Sequence, residues 1–239
     1  MVSRRLGLRV AAVGTAVFAG LTGCTGSSTP EPSPPQRTSI SPSASAATSP
    51  ADQLQQLAAT GASASYHAFY GADQKRPSSK AKWTVWRTEH SLRVDVITSK
   101  STATLIQTRR ATYSCSRAHG RKACFRVAKA GKPVPRVFQL LAERLFSTVL
   151  VQFAQHASRY AITPATGGAA VGAGSCFVVK VPAGQPASVE PATYCFNDNG
   201  VLTAVRYRNG NAVQLLKVVM RTPDPATFRP YSSPTPLPS

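Results

Sequence analysis

The sequence predicts an α+β domain in which an antiparallel β-sheet is covered by helices, and two patterns lead to this prediction. Several segments alternate apolar and polar positions, as Leu92, Val94 and Val96 do with the residues between them. Strict alternation is typical of an antiparallel strand with one buried face. Between Pro135 and Tyr160 the apolar spacing changes to three and four, which is typical of a helix face.

The order of the elements follows from the same patterns. A short helix should begin after Ser49, because Ser49 can cap it and Pro50 suits its first turn. Strand character appears in residues 65–70, 82–87, 91–98, 103–108, 111–116, 123–128, 175–181, 192–196, 201–208 and 213–220. Residues 163–174 are rich in Gly and Ala and predict a loop. The strands that follow it should form a closing meander of hairpins.

The beginning of the chain has the parts of a secretory signal, predicted over residues 1–23. Arg4, Arg5 and Arg9 precede an uncharged apolar stretch, 10–21, that is too short to span a bilayer. Leu21-Thr22-Gly23-Cys24 resembles the bacterial lipobox, which implies that Cys24 is acylated and becomes the first residue after cleavage. We therefore expect a protein anchored by lipid to the extracytoplasmic face of the cell membrane. The export route, general or twin-arginine, stays open.

Composition divides the remaining chain into three parts. Residues 24–49 are dominated by Ser, Thr, Pro and Ala, so they predict a disordered linker. Residues 50–221 contain the apolar periodicity and form the predicted domain. Residues 222–239 are again rich in proline and predict a disordered tail.

Four cysteines remain once Cys24 is assigned to the lipid anchor, and an even number in an exported protein predicts two disulfides. Three connectivities are possible. The sequential one, Cys115–Cys124 and Cys176–Cys195, is favoured because each pair flanks a predicted hairpin. A metal site is disfavoured, because close cysteine pairs are missing from the sequence and the four histidines are scattered.

The chain is strongly basic, with 28 Lys and Arg against 9 Asp and Glu and a net charge of +19. This excess favours anionic partners such as head groups or acidic envelope polymers, whereas an exported chain is not expected to meet nucleic acid. Between Asp95 and Glu143 the sequence has no acid. A basic patch is predicted there, with a solvated strand face as the alternative, from Arg109, Arg110, Arg117, Arg121, Lys122 and Arg126.

No set of residues in the sequence predicts catalysis or a bound cofactor, so we expect a protein that is not an enzyme. The glycine-rich stretch at 167–174 lacks the Lys-Ser/Thr ending of a phosphate loop. The helix over Pro135–Tyr160 has two interpretations. It either closes a packed core or acts as a lid over an apolar cavity, whose candidate lining and lid are Phe69, Trp83, Phe138, Leu141, Leu145 and Val149, with Tyr66 and Trp86 as further lining.

The order of a lipidated cysteine, a polar linker, a short helix, long strands, a helical interruption and closing hairpins resembles the LolA/LprG-like superfamily of lipoprotein carriers. Phrases such as Tyr194-Cys195-Phe196-Asn197-Asp198-Asn199-Gly200 resemble those of actinobacterial lipoproteins in particular. The resemblance implies a half-barrel sheet with helices over its concave face and an apolar cavity for acyl chains. We therefore expect binding of a lipid or other apolar ligand, for transport. The alternative is a basic module that contacts anionic envelope polymers or a partner protein.

The anchor makes a testable prediction. Cys24→Ala removes the acylated thiol, and a single signal segment too short to span the bilayer cannot replace it. The variant should leave the membrane fraction and appear in the soluble fraction after cell lysis, as followed by immunoblotting. A variant that stayed with the membrane would contradict the assignment of Cys24.

Overall fold

The computed structural model describes residues 48–73, 81–165, 174–184 and 189–236. The chain divides into two units, Met1–Ser45 and Ala46–Ser239, and every described residue belongs to the second. The predicted signal peptide, Cys24 and the linker up to residue 47 lie outside the described residues. None of the described helices has the length and hydropathy needed to span a bilayer.

One curved sheet of twelve strands dominates the described residues. Its strands are β1 Tyr66–Asp73, β2 Ala81–Thr88, β3 Ser91–Ile97, β4 Ser101–Gln107, β5 Ala111–Ala118, β6 Arg121–Lys129, β7 Ala161–Pro164, β8 Gly174–Lys180, β9 Ala192–Asn197, β10 Leu202–Tyr207, β11 Ala212–Val219 and β12 Thr235–Pro236. All the predicted strands are present. Strand β7, which reaches into the predicted loop, and the two-residue β12 were not predicted from the sequence.

The strand order is β12-β6-β5-β4-β3-β2-β1-β11-β10-β9-β8-β7. Two antiparallel meanders, β1 to β6 and β7 to β11, therefore meet where the first long strand pairs with the last long one. Apart from the parallel pair of β12 with β6, neighbouring strands are antiparallel. With helices over one face, this arrangement confirms the predicted α+β fold class with a curved antiparallel sheet.

Helix α1, Pro50–Ser63, begins as predicted: Ser49 Oγ accepts a hydrogen bond from the Asp52 amide. Near its end the helix touches the turn between β9 and β10, backbone against backbone. A Cβ on Gly61 would lie 1.9 Å from the carbonyl oxygen of Gly200. Gly200 has a φ of +70°, a conformation that glycine adopts without strain. Two glycines thus allow α1 to lie directly on the sheet.

The predicted helix over Pro135–Tyr160 is present as a broken helical segment. A 3-10 turn, Arg136–Phe138, comes first, followed by α2, Leu141–Arg144, a π turn, Leu145–Val149, and α3, Leu150–His156. The prediction of one continuous helix from Pro135 was wrong at its start because Leu140 is extended and serves as the N-cap of α2. A second 3-10 turn, Ala157–Arg159, ends the segment.

The hydrophobic core lies between these helices and one face of the sheet, which we call the inner face. Strand β1 shows the alternation: Tyr66, Ala68 and Tyr70 are buried on the inner face, and the residues between them face outward. The rings of Tyr70 and Phe146 pack at 4.8 Å, and those of Phe153 and Tyr194 at 5.0 Å. The Tyr70 hydroxyl donates to the Leu202 carbonyl, so its polar end is satisfied within the core.

The other face, which we call the outer face, is partly covered by the C-terminal segment, 222–236. This corrects the predicted disordered tail, since these residues form a 3-10 turn, Pro225–Phe228, and strand β12 beside β6. Phe228 is buried, the Thr227 carbonyl accepts from Arg93, and Arg117 lies over the Tyr231 ring at 5.2 Å. Composition alone suggested disorder because proline is common in such tails, but here aromatic residues between the prolines attach the segment to the sheet.

Both predicted disulfides are confirmed. Cys115 and Cys124 stand directly opposite each other on β5 and β6, and Cys176 and Cys195 do so on β8 and β9. The Cα atoms are 4.0 Å apart in each pair. One disulfide therefore links strands near each end of the sheet, and both are on the outer face.

Arg87 connects the helices to the sheet. It lies on the inner face of β2 and is 7% exposed. Its Nε donates to the Ala62 carbonyl at the end of α1, at 2.9 Å, and Nη1 donates to the Phe146 carbonyl in the π turn. Within the described residues no carboxylate pairs with Arg87. Burial lowers the pKa of its guanidinium, so the two carbonyls are its main compensation.

We predict that Arg87→Leu destabilises the fold. The substitution leaves two carbonyls without their charged donor, which should lower the free energy of unfolding by about 2–4 kcal/mol. Urea denaturation followed by circular dichroism measures this. Arg126→Leu, which removes an exposed arginine from the outer face of β6, is the control and should change stability by less than about 0.5 kcal/mol. Equal effects of the two substitutions would contradict the role given to Arg87.

Candidate functional site

The space beneath the helical segment, where the sequence suggested an apolar cavity, is filled by side chains. Trp83, Leu145 and Val149 are buried in the core. The opening that remains between α2, the π turn and the sheet, lined by Tyr194 and Tyr207 among others, is about 10 Å³. A cavity of that size is smaller than a single methylene chain requires. The described residues thus favour the packed interpretation of this segment.

The other predicted cavity residues lie elsewhere. Phe69 lies on the outer face, where it packs with His67 at 4.4 Å, and Trp86 stacks on the same His67 at 4.7 Å. The prediction for Phe69 was wrong because neighbours in a strand point to opposite faces, and Tyr70 occupies the inner one. Phe138 packs on a second small cluster, and Leu141 is 42% exposed at the edge of a groove.

That groove has a volume of about 1090 Å³. It runs between the outer side of the helical segment and the loop after β6. Pockets for small molecules commonly measure about 300–1000 Å³, so the groove can hold a ligand of substantial size. Its lining is mixed in character: Gln107, Gly131, Lys132, Pro133, Val134, Arg136, Gln139, Leu141, Glu143, Arg144, Ser147, Thr148, Val151 and Gln152.

The apolar side of the groove adjoins a second hydrophobic cluster, separate from the main core. Leu105 and Val127 on the inner face of β4 and β6 pack with Val134, and Phe125, Phe138 and Leu140 surround them. Residues 130–140 cover this cluster with one 3-10 turn and otherwise irregular backbone. Loops with few regular hydrogen bonds open more readily than packed helices. A mostly irregular loop, and not a packed helix, therefore covers the inner face of β4 to β6.

Glu143 is the one acid among the groove residues, and it is 4% exposed. Its Oε1 accepts hydrogen bonds from Gln107 at 2.8 Å and from the Ser147 hydroxyl. Burial raises the pKa of Glu143, and the hydrogen bonds from Ser147 and Gln107, with the charge of Arg144, partly oppose this rise. The carboxyl thereby connects the end of β4 to the first turn of the helical segment.

Positive charge dominates the rest of the groove. Lys132 and Arg136 form no ion pair or side-chain hydrogen bond within the described residues, and Arg144 lies 4.0 Å from Glu190. These cations stand beside the aliphatic side chains of Leu141 and Val151. Such an arrangement suits a molecule with an anionic group and an apolar portion.

The predicted basic patch is divided between two ends of the sheet. Arg109 and Arg110 lie in the turn between β4 and β5, whereas Arg117, Arg121 and Lys122 surround the turn between β5 and β6. Successive turns of a meander fall at opposite ends, and β5 separates these by about 25 Å. Arg126 lies between them, opposite Tyr113 on the outer face. The prediction of one patch was wrong for this reason.

The groove residues that matter most were only partly visible in the sequence. Lys132 and Arg136 belong to the interval without acids, but the sequence does not show which face of the sheet the loop that carries them covers. Glu143 ends that interval and falls on the helix periodicity as a polar position, so burial was not expected. Its contact with Gln107, 36 positions away, could be found only in the folded chain. No group of three potential metal ligands occurs in the described part of the chain.

No protein-family model matches this chain, and no curated protein does. Among solved structures, MucB in complex with MucA(peri) is similar at 16% identity and a TM-score of 0.40, over 76% of this chain and 59% of that one. The Pseudomonas aeruginosa MucA/MucB complex gives 16%, 0.41, 75% and 60%. MucB alone gives 17%, 0.42, 74% and 61%. This chain thus spans about three fifths of the length of these neighbours.

Glu143 makes a pH-dependent prediction. Because its pKa is higher in the folded than in the unfolded chain, ionisation disfavours folding as pH rises above the unfolded pKa of about 4.5. Glu143→Gln keeps an acceptor for Gln107 and Ser147 without the charge. Its stability gain over the original protein should be small near pH 4 and reach on the order of 1 kcal/mol at pH 7.5. Thermal unfolding at both pH values measures the difference, and a gain that shrinks as pH rises would contradict this account.

Proposed function

We propose that this protein is a non-enzymatic lipoprotein, anchored through Cys24 on the extracytoplasmic face of the cell membrane, that binds an anionic lipid-like molecule for transport. The ligand site is the groove beside the helical segment, not a cavity beneath it. The observation that supports this proposal best is the combination in one groove of unpaired cations, Lys132 and Arg136, with aliphatic walls next to an apolar cluster covered by a loop.

The chemistry of the groove sets the order of contacts. A phosphate or carboxylate head group would meet Lys132 and Arg136, since charge-assisted hydrogen bonds are the strong ones available there. The acyl part would lie along Leu141 and Val151 and extend toward Val134. Each buried methylene contributes about 0.8 kcal/mol, so even a partly inserted chain gives useful affinity. Glu143 disfavours an anion at its own end of the groove and so helps to orient the ligand.

The location rests on two separate observations. The sequence ends its predicted signal at Leu21-Thr22-Gly23-Cys24, and the domain holds two disulfides. Disulfides persist in oxidising compartments and are rare in the bacterial cytoplasm. Both support export, and the lipobox supports an anchor at the membrane.

Binding of fluorescently labelled short-chain phosphatidylglycerol, kept below its critical micelle concentration, tests the groove. Thr148→Trp places a large ring among the groove residues and should weaken binding at least tenfold. Gln155→Trp is the matched control, because Gln155 is exposed on α3 but does not line the groove. It should bind as the original protein does.

Native mass spectrometry of protein purified from its own host complements this assay, with co-purified lipid as the expected result. An unliganded mass together with no phosphatidylglycerol binding would refute the lipid function. Equal loss in both tryptophan variants would refute the groove as its site.

The alternative is a module that binds acidic envelope polymers, and one observation favours it. Arg117, Arg121 and Lys122 gather at the turn between β5 and β6, with Lys100 in the neighbouring turn, and the sequence has no acid from residue 96 to 142. Retention on an immobilised acidic polymer that is lost in moderate salt, and lost in an Arg121→Ala/Lys122→Ala variant, would support this function.

A further inference from the structure

We infer that one rim of the curved sheet docks on an anionic lipid bilayer. The rim consists of the β2–β3 turn, residues 89–90, the β4–β5 turn, residues 108–110, and the loop 130–139 that follows β6. This inference goes beyond ligand binding, although it rests on the proposed function for its biological purpose: the rim is where the groove opens.

Topology brings the three parts of the rim together. In an antiparallel meander every second turn falls at the same end of the sheet, so the β2–β3 and β4–β5 turns and the chain leaving β6 are neighbours. Three depressions of about 1090, 290 and 580 Å³ surround this end. The first two share Lys132 and Val151, and the last two share His90 and Thr108. The rim is thus the ridge between the groove and the outer face.

Unpaired cations are concentrated on this ridge. Arg109 and Arg110 occupy the β4–β5 turn, Lys132 and Arg136 the loop, and Arg229 of the C-terminal segment lies beside the two turn arginines. None of these five side chains has an ion pair or hydrogen bond within the described residues. The acid of the rim, Glu89, lies 3.3 Å from His90. The rim therefore carries a net positive charge that the fold does not neutralise.

Exposed aliphatic side chains accompany the cations. Val137 is 82% exposed, the highest value among the large hydrophobic residues of the described chain, and it follows Arg136 directly. Leu141 and Val151, at 42% and 38%, stand at the mouth of the groove. Exposed aliphatic residues next to unpaired cations are typical of surfaces that enter the interfacial region of a membrane.

A bilayer fits this surface better than a soluble polymer does. The cations are spread over the β4–β5 turn, the loop after β6 and the C-terminal segment, so they suit a plane of head groups more than a single anionic group. A soluble polyanion would gain nothing from Val137. Each Lys or Arg near an anionic membrane raises partitioning roughly fivefold.

Flotation with vesicles of equal parts phosphatidylglycerol and phosphatidylcholine tests the inference. The processed chain with Cys24→Ala is used, because it keeps every described residue and lacks the thiol of the proposed lipid anchor. Arg109→Ala/Arg110→Ala should weaken binding at least tenfold. Its matched control, Arg121→Ala/Lys122→Ala, removes the same charge from the opposite end of the sheet and should stay within threefold of the original.

A second pair of variants tests the aliphatic contact. Val137→Asp should also weaken binding at least tenfold, whereas Leu216→Asp, at an exposed position on β11, should change it little. The melting temperature of each variant verifies that it is folded.

The outcomes separate docking from ligand binding. Thr148→Trp should lose lipid uptake and keep vesicle binding. If the Cys24→Ala chain without further changes takes up labelled lipid but does not float with anionic vesicles, the docking inference fails and the proposed function stands. Equal losses in the two arginine variants, or equal binding to pure phosphatidylcholine, would also overturn the docking inference, because binding would then depend on total charge or on no charge at all.

Discussion

The connection between the two edge regions of the sheet is the constraint on which the rest of the structure depends. Strand β6 lies near one edge and β7 at the other, with ten strand spacings between them. At about 4.8 Å per spacing that is roughly 48 Å along the arc. The 31 residues from 130 to 160 must return across one face to bridge it. The strand order therefore requires a long crossing connection, and the helical segment is the part of it that covers the inner face. The curvature of the sheet brings its two edges closer together and so shortens the distance to be crossed.

Arg87 resolves a polar problem that this crossing creates. Helix α1 ends over the sheet and the π turn interrupts the regular helical hydrogen bonds, so carbonyls of both reach the interior. One guanidinium can donate in several directions, and Arg87 binds the Ala62 and Phe146 carbonyls at once. Burying a cation costs free energy by itself, but here the cation supplies donors to two carbonyls that would otherwise have no hydrogen-bond partner. The same side chain borders the depression of about 290 Å³ at the rim, so Arg87 also connects the core to the rim.

The position of the open space follows from how the inner face is divided. Over β1, β2 and β8 to β11 large side chains of both layers interlock, and the interior is closed. Over β4 to β6 the cover is a loop, and the residual space collects at its border with the helix. On the outer face the C-terminal segment and the two disulfides stiffen the ends of the sheet. Any opening of the inner face would therefore begin with movement of the loop, since the C-terminal segment and the disulfides hold the sheet on its outer face.

The sequence by itself indicated the long strands, the cap of α1 at Ser49 and the favoured disulfide pairing, because period, capping and hairpin spacing are local properties. Only the tertiary structure decided that β1 pairs with β11, that residues 222–236 pack on the sheet, and that Phe69 faces outward while the groove lies beside the helix. These features depend on contacts between residues far apart in the chain, such as Gln107 with Glu143. Local patterns do not encode such contacts, since strand alternation defines two faces without saying which one the helices will cover.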